Sequence, residues 1–456
     1  MADRGKTSRR DFLRTVATGV VVGFAATMPG KRAAPCEGRA MGANERVNIG
    51  IIGVGWRGGT HLRELVKRSK DVGDVQVTAV SDLYEPRLNE AKEICGGKAF
   101  RDYHELLGQK DVDGVVVAVP WHWHAKMTLD ACEAGKDVYV ETPMTINIDD
   151  ARKVYETANK TKRVVQVGNQ MASFDDYWRA KEVIKSGVLG KLLITEASWC
   201  RNSSDGQWNY NIDPQCSPEN LDWETWHGAK FGLTPPRPFS QERFFRWRKF
   251  RDYGGGSASD LLCHTLGCLL VMIGREFPQL VTTAGGQYVE FDRDIYDTYI
   301  TMIEYPSQHL VIMDGTMVNE QRRPEIVRGR EATCFVYPDG VVVAPERPFA
   351  KGFREKCEKA GLNGEWVKTT LSCWRSQREA EALRIPKQPR PSHMENFLHC
   401  IRTRETPVED AFAGYQITVA VELGVLSYYH NKTMHFDPEK QVVLKETPPR
   451  THQITY

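Results

Sequence analysis

Val47-Asn48-Ile49-Gly50-Ile51-Ile52-Gly53-Val54-Gly55-Trp56-Arg57-Gly58 is the stretch that decides the fold of this chain. The run from Val47 to Ile52 is apolar without polar alternation, the pattern of a strand buried on both faces of a parallel sheet. It ends in Gly53-x-Gly55-x-x-Gly58 and passes into a helical pattern from His61 to Lys67. In a dinucleotide site the first glycine permits a tight turn, the second lets the backbone approach a pyrophosphate, and the third lets helix and strand pack closely. The helix N-terminus behind them presents unpaired N–H groups and the positive end of its dipole to phosphate. A second strand pattern, Val75 to Val80, ends in Ser81-Asp82, somewhat beyond the usual spacing of about 20 residues for a ribose-binding acid. Asp82 would accept from ribose hydroxyls and repel a 2′-phosphate, which favours NAD, while Arg87 close by leaves NADP open.

Outward from this unit the pattern repeats. A helix from Glu85 to Cys95 leads to a short strand near Lys98–Phe100. Asp113 to Pro120 is another buried-strand pattern, ending in Trp121-His122-Trp123-His124. Asp137 to Pro143, a helix from Ile148 to Thr161 and the strand Val164 to Asn169 complete the series. Strands alternating with helices mean a doubly wound parallel sheet with right-handed crossovers, and ligands sit outside the carboxyl ends of its strands. His122 and His124 at i, i+2 on a strand would face opposite sides, so no metal pair is expected. His124 either caps the next helix or touches the cofactor.

At this point the sequence resembles the Gfo/Idh/MocA oxidoreductase family, named for glucose–fructose oxidoreductase and inositol dehydrogenase. The resemblance rests on Gly53-x-Gly55-x-x-Gly58, Ser81-Asp82 with Arg87, Val119-Pro120 with His122-Trp123-His124, Glu141-Thr142-Pro143 and Gln166-Val167-Gly168-Asn169. It implies an α/β protein: a Rossmann domain, then a second α/β domain with a large open, mostly antiparallel sheet that often pairs subunits. The expected divisions are 1–45 leader and linker, 46–170 NAD-binding domain, and 171–456 substrate and oligomerisation domain. Motif and resemblance together assign Gly53, Gly55, Trp56, Arg57, Gly58, Asp82, Arg87, Pro120, His122, His124, Glu141 and Asn169 to the cofactor. One position departs from the family: its Glu-Lys-Pro motif carries a lysine that reaches the substrate hydroxyl, and here Thr142 stands in that place. Threonine hydrogen-bonds but supplies neither positive charge nor a usable base near neutral pH.

The second half holds the strongest chemical cluster. Asp252-Tyr253-Gly254-Gly255-Gly256 feeds a helix from Ser257 to Met272, on which Asp260 and His264 stand one turn apart, at i and i+4. One acid and one imidazole on an otherwise apolar helix suggest an oriented base: histidine takes a hydroxyl proton and the carboxylate steadies the imidazolium. A core histidine satisfied by its neighbours has the same pattern. In the family an acid and a histidine at this spacing flank the nicotinamide. Of the 11 tryptophans, those at 178, 199, 208, 223, 226 and 247 cluster around a loop-like stretch from 200 to 250. They either offer faces to a sugar or staple the loop to the domain. Ala284 to Glu290, Asp297 to Glu304, Gln308 to Gly315 and Thr333 to Val336 read as strands, 344–391 as an irregular charged arm, and 408–429 as a helix.

Composition narrows the function. With 61 basic and 59 acidic residues the formal net charge is +2, which gives no reason to expect a nucleic-acid partner. Lys6-Thr7-Ser8-Arg9-Arg10-Asp11-Phe12-Leu13 precedes an apolar stretch, Val16 to Met28, too short to span a bilayer. Twin arginine before such a stretch is the address of the Tat translocon, which exports folded proteins. A protein exported folded must carry a nicotinamide cofactor with it, so tight binding of NAD is expected, outside the cytoplasm. Of eleven cysteines none forms a CxxC pair, which argues against zinc; Cys200–Cys216 and Cys357–Cys373 are candidate disulfides.

Three readings follow. The first is an exported NAD(P)-dependent oxidoreductase acting on a sugar, a cyclitol or a derivative, with His264 as base, Asp260 as its orienter and Thr142 as a hydroxyl contact. The second is a glycosidase of the same superfamily, in which tightly held NAD oxidises a ring carbon transiently, permits elimination, and is restored. The third is a nucleotide-binding protein without turnover. The first two take a carbohydrate-like small molecule, and a homo-oligomer is expected.

Overall fold

The computed structural model describes residues 46–373 and 376–446. The leader expected in 1–45, with Cys36, lies outside the described residues. Six strands form the first sheet: β1 (Val47–Ile52), β2 (Val75–Ser81), β3 (Lys98–Phe100), β4 (Gly114–Val117), β5 (Asp137–Val140) and β6 (Val165–Val167). Their order is β3-β2-β1-β4-β5-β6 and every pairing is parallel. Five of the six residues of β1 and all four of β4 and of β5 are buried, the mark of a sheet covered on both faces. The order reverses between β1 and β4, so the loops at their carboxyl ends open a crevice where a ligand fits.

The second sheet has eleven strands: β7 (Leu192–Cys200), β8 (Leu280–Gly286), β9 (Thr298–Tyr305), β10 (His309–Thr316), β11 (Glu325–Gly329), β12 (Ala332–Tyr337), β13 (Gly340–Pro345), β14 (Glu365–Cys373), β15 (Ser376–Pro386), β16 (Met434–Asp437) and β17 (Val442–Leu444). Only β7 and β10 pair in parallel. Along β9 and β10 burial alternates, one face inside and one outside. The apolar helices Cys263–Ile273 and Ala411–His430 fill the inner face.

Two expectations are corrected here. Residues 344–391 are not an irregular arm: Phe353–Lys359 is a helix, and β14 and β15 form a long hairpin that ends the sheet. Its alternation was masked by charge, since Ala380, Ala382 and Ile385 turn inward while Glu379 and Glu381 face water. The candidate Cys200–Cys216 bridge is absent. Both are free, buried thiols, as is Cys357. Of the nine cysteines whose side chains are described, a set that leaves out Cys373, eight are buried, so they serve as small apolar core residues.

The chain also returns to its first sheet. The helix His393–Thr403 starts in a capping box, Ser392 Oγ accepting from Glu395 N and the Glu395 carboxylate from Ser392 N. Its Phe397, Leu398 and Cys400 pack with Ile49, Ile51 and Val116 of the first sheet. Arg68 of the first helix bridges to Glu395 at 2.7 Å, and Gln166 of β6 donates to the His393 carbonyl.

Candidate active site

The glycine loop has the shape its sequence implies. Gly53 takes φ +82°, open to glycine but strained for other residues. A Cβ on Gly58 would stand 1.8 Å from the Gly53 carbonyl oxygen, so helix and strand touch where only hydrogen fits. The helix Trp56–Asp71 begins at Gly55 with no side-chain cap, so its first N–H groups are free to meet an anion. Asp82, at the end of β2, accepts from Val54 N at 2.8 Å and Tyr84 N at 2.9 Å, which holds the loop in place. These residues fit a dinucleotide pyrophosphate and ribose. Trp56 projects from the first helical turn, 79 % exposed.

Glu141, after β5, is tied into the frame. It accepts from His61 at 2.6 Å and Arg57 at 2.8 Å, and Gln170 reaches it at 3.2 Å. Burial alone would raise this carboxyl, but His61 and Arg57 outweigh it and hold it below the usual carboxylate range. Arg57 and Glu141 thus lock the first helix to β5. The two histidines after β4 are also engaged within the protein. His124 is 1 % exposed, its nitrogens 2.7 Å from the Pro143 carbonyl and 2.9 Å from that of Val119. It joins the loops after β4 and β5, and neither ring nitrogen is left for a ligand. His122 lies 3.2 Å from the Trp226 carbonyl, and burial drives its pKa down to about 3. Pro120 starts the turn that carries both rings.

Arg87 is held beside the glycine loop, its Nη1 3.3 Å from where a Cβ on Gly55 would stand. Its guanidinium sits 5.5, 5.0 and 5.1 Å from the ring centres of Tyr84, Phe244 and Phe245. Two of these rings come from the aromatic stretch at 200–253, which crosses to the first domain as a strap. Leu221 forms an antiparallel bridge with Tyr84, Glu85 N donates to the Asn220 carbonyl and Asp222 N to that of Leu83. The Tyr84 hydroxyl donates to Asp213 at 2.6 Å. Beneath it Tyr84, Leu221, Trp223, Trp226, Phe244 and Tyr253 form a core of their own. Trp208, Trp223 and Trp226 are buried, so for these three the staple reading holds. The strap therefore borders the Asp82 end of the crevice.

The base comes from the second domain. A five-residue π turn, Ala258–Leu262, leads into the helix Cys263–Ile273 that carries His264. Asp260 is not the residue that orients His264. A π turn takes more residues per turn than an α-helix, so the shared-face spacing does not carry over. Asp260 instead faces Arg248, 3.9 Å away, and acts on the imidazole only through space. The orienting partner is Asn169, after β6. His264 Nδ1 donates to its Oδ1 at 3.3 Å, while its Nδ2 donates to the His264 carbonyl at 3.0 Å and to Glu409 at 3.1 Å. That fixes the amide, and the amide fixes the tautomer. Nε2 keeps its lone pair and accepts from the Thr142 hydroxyl at 3.0 Å. Burial lowers the His264 pKa despite the nearby Asp260 charge, so the ring is neutral, as a base must be. Trp199 stacks on it, centroids 5.3 Å apart.

The structure thus brings Thr142, Asn169 and His264 together, and puts Gly53, Gly55, Gly58 and Asp82 at the neighbouring strand ends. Sequence reading missed Glu409, His61 and the Trp199 stack. Glu409 looks like an acid ahead of a helix, and nothing local marks it as the partner of a residue 240 positions away.

Residues 47–169 match the model of an oxidoreductase family with an NAD-binding Rossmann fold, and 181–436 match that family's C-terminal alpha/beta domain. A glycosyl hydrolase family 109 protein of Shewanella pealeana is 26 % identical over 252 residues, covering 51 % of this chain and 53 % of its own. An alpha-N-acetylgalactosaminidase of Shewanella oneidensis is 26 % identical over 204 residues, 42 % of each chain. The chain thus spans about half the length of these curated relatives or less. The solved levoglucosan dehydrogenase in complex with NADH and L-sorbose shares the fold, with a TM-score of 0.63 at 15 % identity, covering 87 % of this chain and 100 % of that one. The two family matches span most of the chain between them, and the protein belongs to the Gfo/Idh/MocA oxidoreductase family.

Proposed function

We propose that this chain is an NAD-dependent oxidoreductase acting on a CH–OH group of a carbohydrate, with the nucleotide held tightly. The observation that carries the reading is the neutral His264, its Nε2 lone pair aimed at the Thr142 hydroxyl and its tautomer set by Asn169. When bound, the nicotinamide supplies the hydride acceptor. Gly53, Gly55 and Gly58 would seat the pyrophosphate, and Asp82 the ribose. His264 takes the proton of the substrate hydroxyl at Nε2, directly or relayed through the Thr142 oxygen. Trp199 packs the imidazole in place. The family lysine's positive charge has no substitute at position 142, and the neutral hydroxyl of Thr142 makes the contact to the base.

Tight binding is supported by the strap, which links Leu83–Glu85 to 213–222 beside Asp82 and confines Arg87 among aromatic rings. Asp82 at the ribose end of the crevice favours NAD over NADP, and the cage holds Arg87 beside Gly55. The twin-arginine leader fits the same picture: a folded, nucleotide-loaded protein exported by the Tat pathway. A homo-oligomer through the open sheet remains part of this reading.

A second reading, a redox-neutral glycosidase, is favoured by the strap together with the curated glycosidase relatives. One experiment separates them. Protein from the exported fraction is denatured and its supernatant assayed for NAD(H) and NADP(H), while intact protein is incubated with sugars and glycosides without added cofactor. Bound NAD turning to NADH with a sugar, and no cleavage, supports the oxidoreductase. Sugar release without net NADH supports the glycosidase. Absence of nucleotide removes both and leaves a protein without turnover.

A further inference from the structure

On the far side of the Trp199 ring from the base lies an open cleft of about 590 Å³, lined by Cys200, Arg201, Asn202, Gln207, Glu320, Gln321 and Arg322. It forms where β7 and β10 end together: Trp199 pairs with Gly315, and Arg201 N donates to the Thr316 carbonyl. Trp199 links it to the chemistry. Its ring stacks on His264, and the guanidinium carbons of Arg201 and Arg322 lie 5.4 and 5.1 Å from its centroid. Both cations thus share with the imidazole the one indole ring that all three touch.

Charge pairing at this sheet end is selective. Arg323, the next residue, is neutralised by Asp314 at 2.7 Å and has Glu196 at 3.9 Å. Arg328 is paired with Glu196 as well. Among the described residues Arg201 and Arg322 form no ion pair, though Glu320 lines the same cleft and Arg322 acts through space on Glu325; each guanidinium lies over the indole. Stacking on an aromatic face orients a guanidinium while leaving its edge of N–H donors free, the arrangement that receives an oxyanion in bidentate fashion. A neutral sugar needs no such pair, and two like charges held around one ring repel until an anion joins them.

Resting on the reading of His264 as the base of this site, we propose that the substrate is an anionic sugar, whose carboxylate or sulfate ester is received by Arg201 and Arg322 while its reacting hydroxyl lies at His264. The two guanidinium groups then determine specificity, and Trp199 is the platform between charge recognition and chemistry. The oxyanion, held by the two guanidinium groups, sets which carbon of the sugar faces the base.

The test is isothermal titration of the full chain, as purified with its nucleotide, using galactose, galacturonate and galactose 6-sulfate, with glucose and glucuronate as a second series. At low ionic strength at least one anionic sugar binds tenfold or more tightly than its neutral parent, and added salt narrows the gap. Arg322→Gln, at an exposed position, and the double variant with Arg201→Gln abolish the preference and leave affinity for the neutral parent within twofold. Preference for the uronates identifies a carboxylate, and preference for the 6-sulfate a sulfate ester. Equal affinity, no binding of any anionic sugar at millimolar concentration, or a preference that survives the double variant overturns the proposal. The nucleotide content of the same preparation is read separately. A protein that carries NAD and oxidises a neutral sugar without anionic preference loses this inference and keeps the proposed function, and one without NAD loses that function whatever it binds.

Discussion

The glycine loop after β1 and the aromatic strap at 200–253 border the same crevice by opposite means. The loop works by lacking side chains. Gly58 lets the helix touch the Gly53 carbonyl, and Gly55 leaves the helix N-terminus open. The strap works by bulk, with Trp223, Trp226, Phe244 and Tyr253 packed around Tyr84, and with Lys249, 1 % exposed, bound to Glu242 at 3.0 Å and Asp292 at 2.9 Å. The first requirement is local and leaves its mark within six residues of sequence. The second depends on which distant partner buries each ring.

That contrast can be broken most severely at the loop. Gly58→Val places carbon where 1.8 Å separates it from a backbone oxygen, so helix and strand must part. The expected cost is on the order of 3 kcal/mol or more, with loss of bound nucleotide. Thermal unfolding and nucleotide content of the purified variant measure it, and a variant that keeps NAD at wild-type stability contradicts the packing described.

The next largest effect is chemical and lies where the two domains meet. His264→Ala should reduce turnover by about 10²–10⁴-fold while leaving nucleotide content unchanged, because the ring faces Thr142 rather than the glycine loop. Since burial lowers the pKa of this histidine, wild-type activity should persist below the pH at which a free imidazole protonates. A pH–rate profile falling at or above pH of about 6.5 would contradict that.

At the strap the expected loss is smaller. Trp226→Ala removes a ring 6 % exposed from the core it shares with Tyr84, at a cost of about 3 kcal/mol. The sharper readout is kinetic: nucleotide should leave this variant at least tenfold faster, followed by competition with an excess of labelled NAD. Unchanged release would mean the strap is only a scaffold.

A further effect depends on pH. Burial raises the Glu409 carboxyl to about 8, against 4.5 for a free glutamate. A carboxyl protonated in the folded state and ionised in the unfolded one stabilises fully below about 4.5, and that contribution is lost as pH rises towards 8. Glu409→Gln keeps an acceptor for Asn169 and removes the titration. Its melting temperature should match wild type near pH 4.5 and exceed it at pH 8, and parallel curves would place the carboxylate outside this balance.

Much of the frame could be read from sequence for a physical reason. Buried parallel strands are short apolar runs, and their carboxyl-end loops follow at once, so Gly53, Asp82, Glu141 and Asn169 were found where the strands end. What escaped was pairing at a distance. Asn169 was expected to touch cofactor, yet it also sets the tautomer of His264, 95 positions away. Asp260 looked like the orienter because α-helical spacing was assumed, and a π turn intervenes. The tryptophans could equally have been sugar platforms or staples. Trp223 and Trp226 are buried, whereas Trp199, with the same composition around it, stands beside the base.

The helix His393–Thr403 has a consequence for how the protein comes into being. Its Phe397, Leu398 and Cys400 complete the core beneath β1 and β4, although β6 ends at Val167. A ribosome that has released all six strands of the nucleotide-binding sheet has not yet released the helix that closes its underside. The sheet stays unfinished until β7 to β15 of the second sheet have also been made, and a fragment stopping after β6 would carry the glycine motif intact yet lack the floor that makes it a pocket.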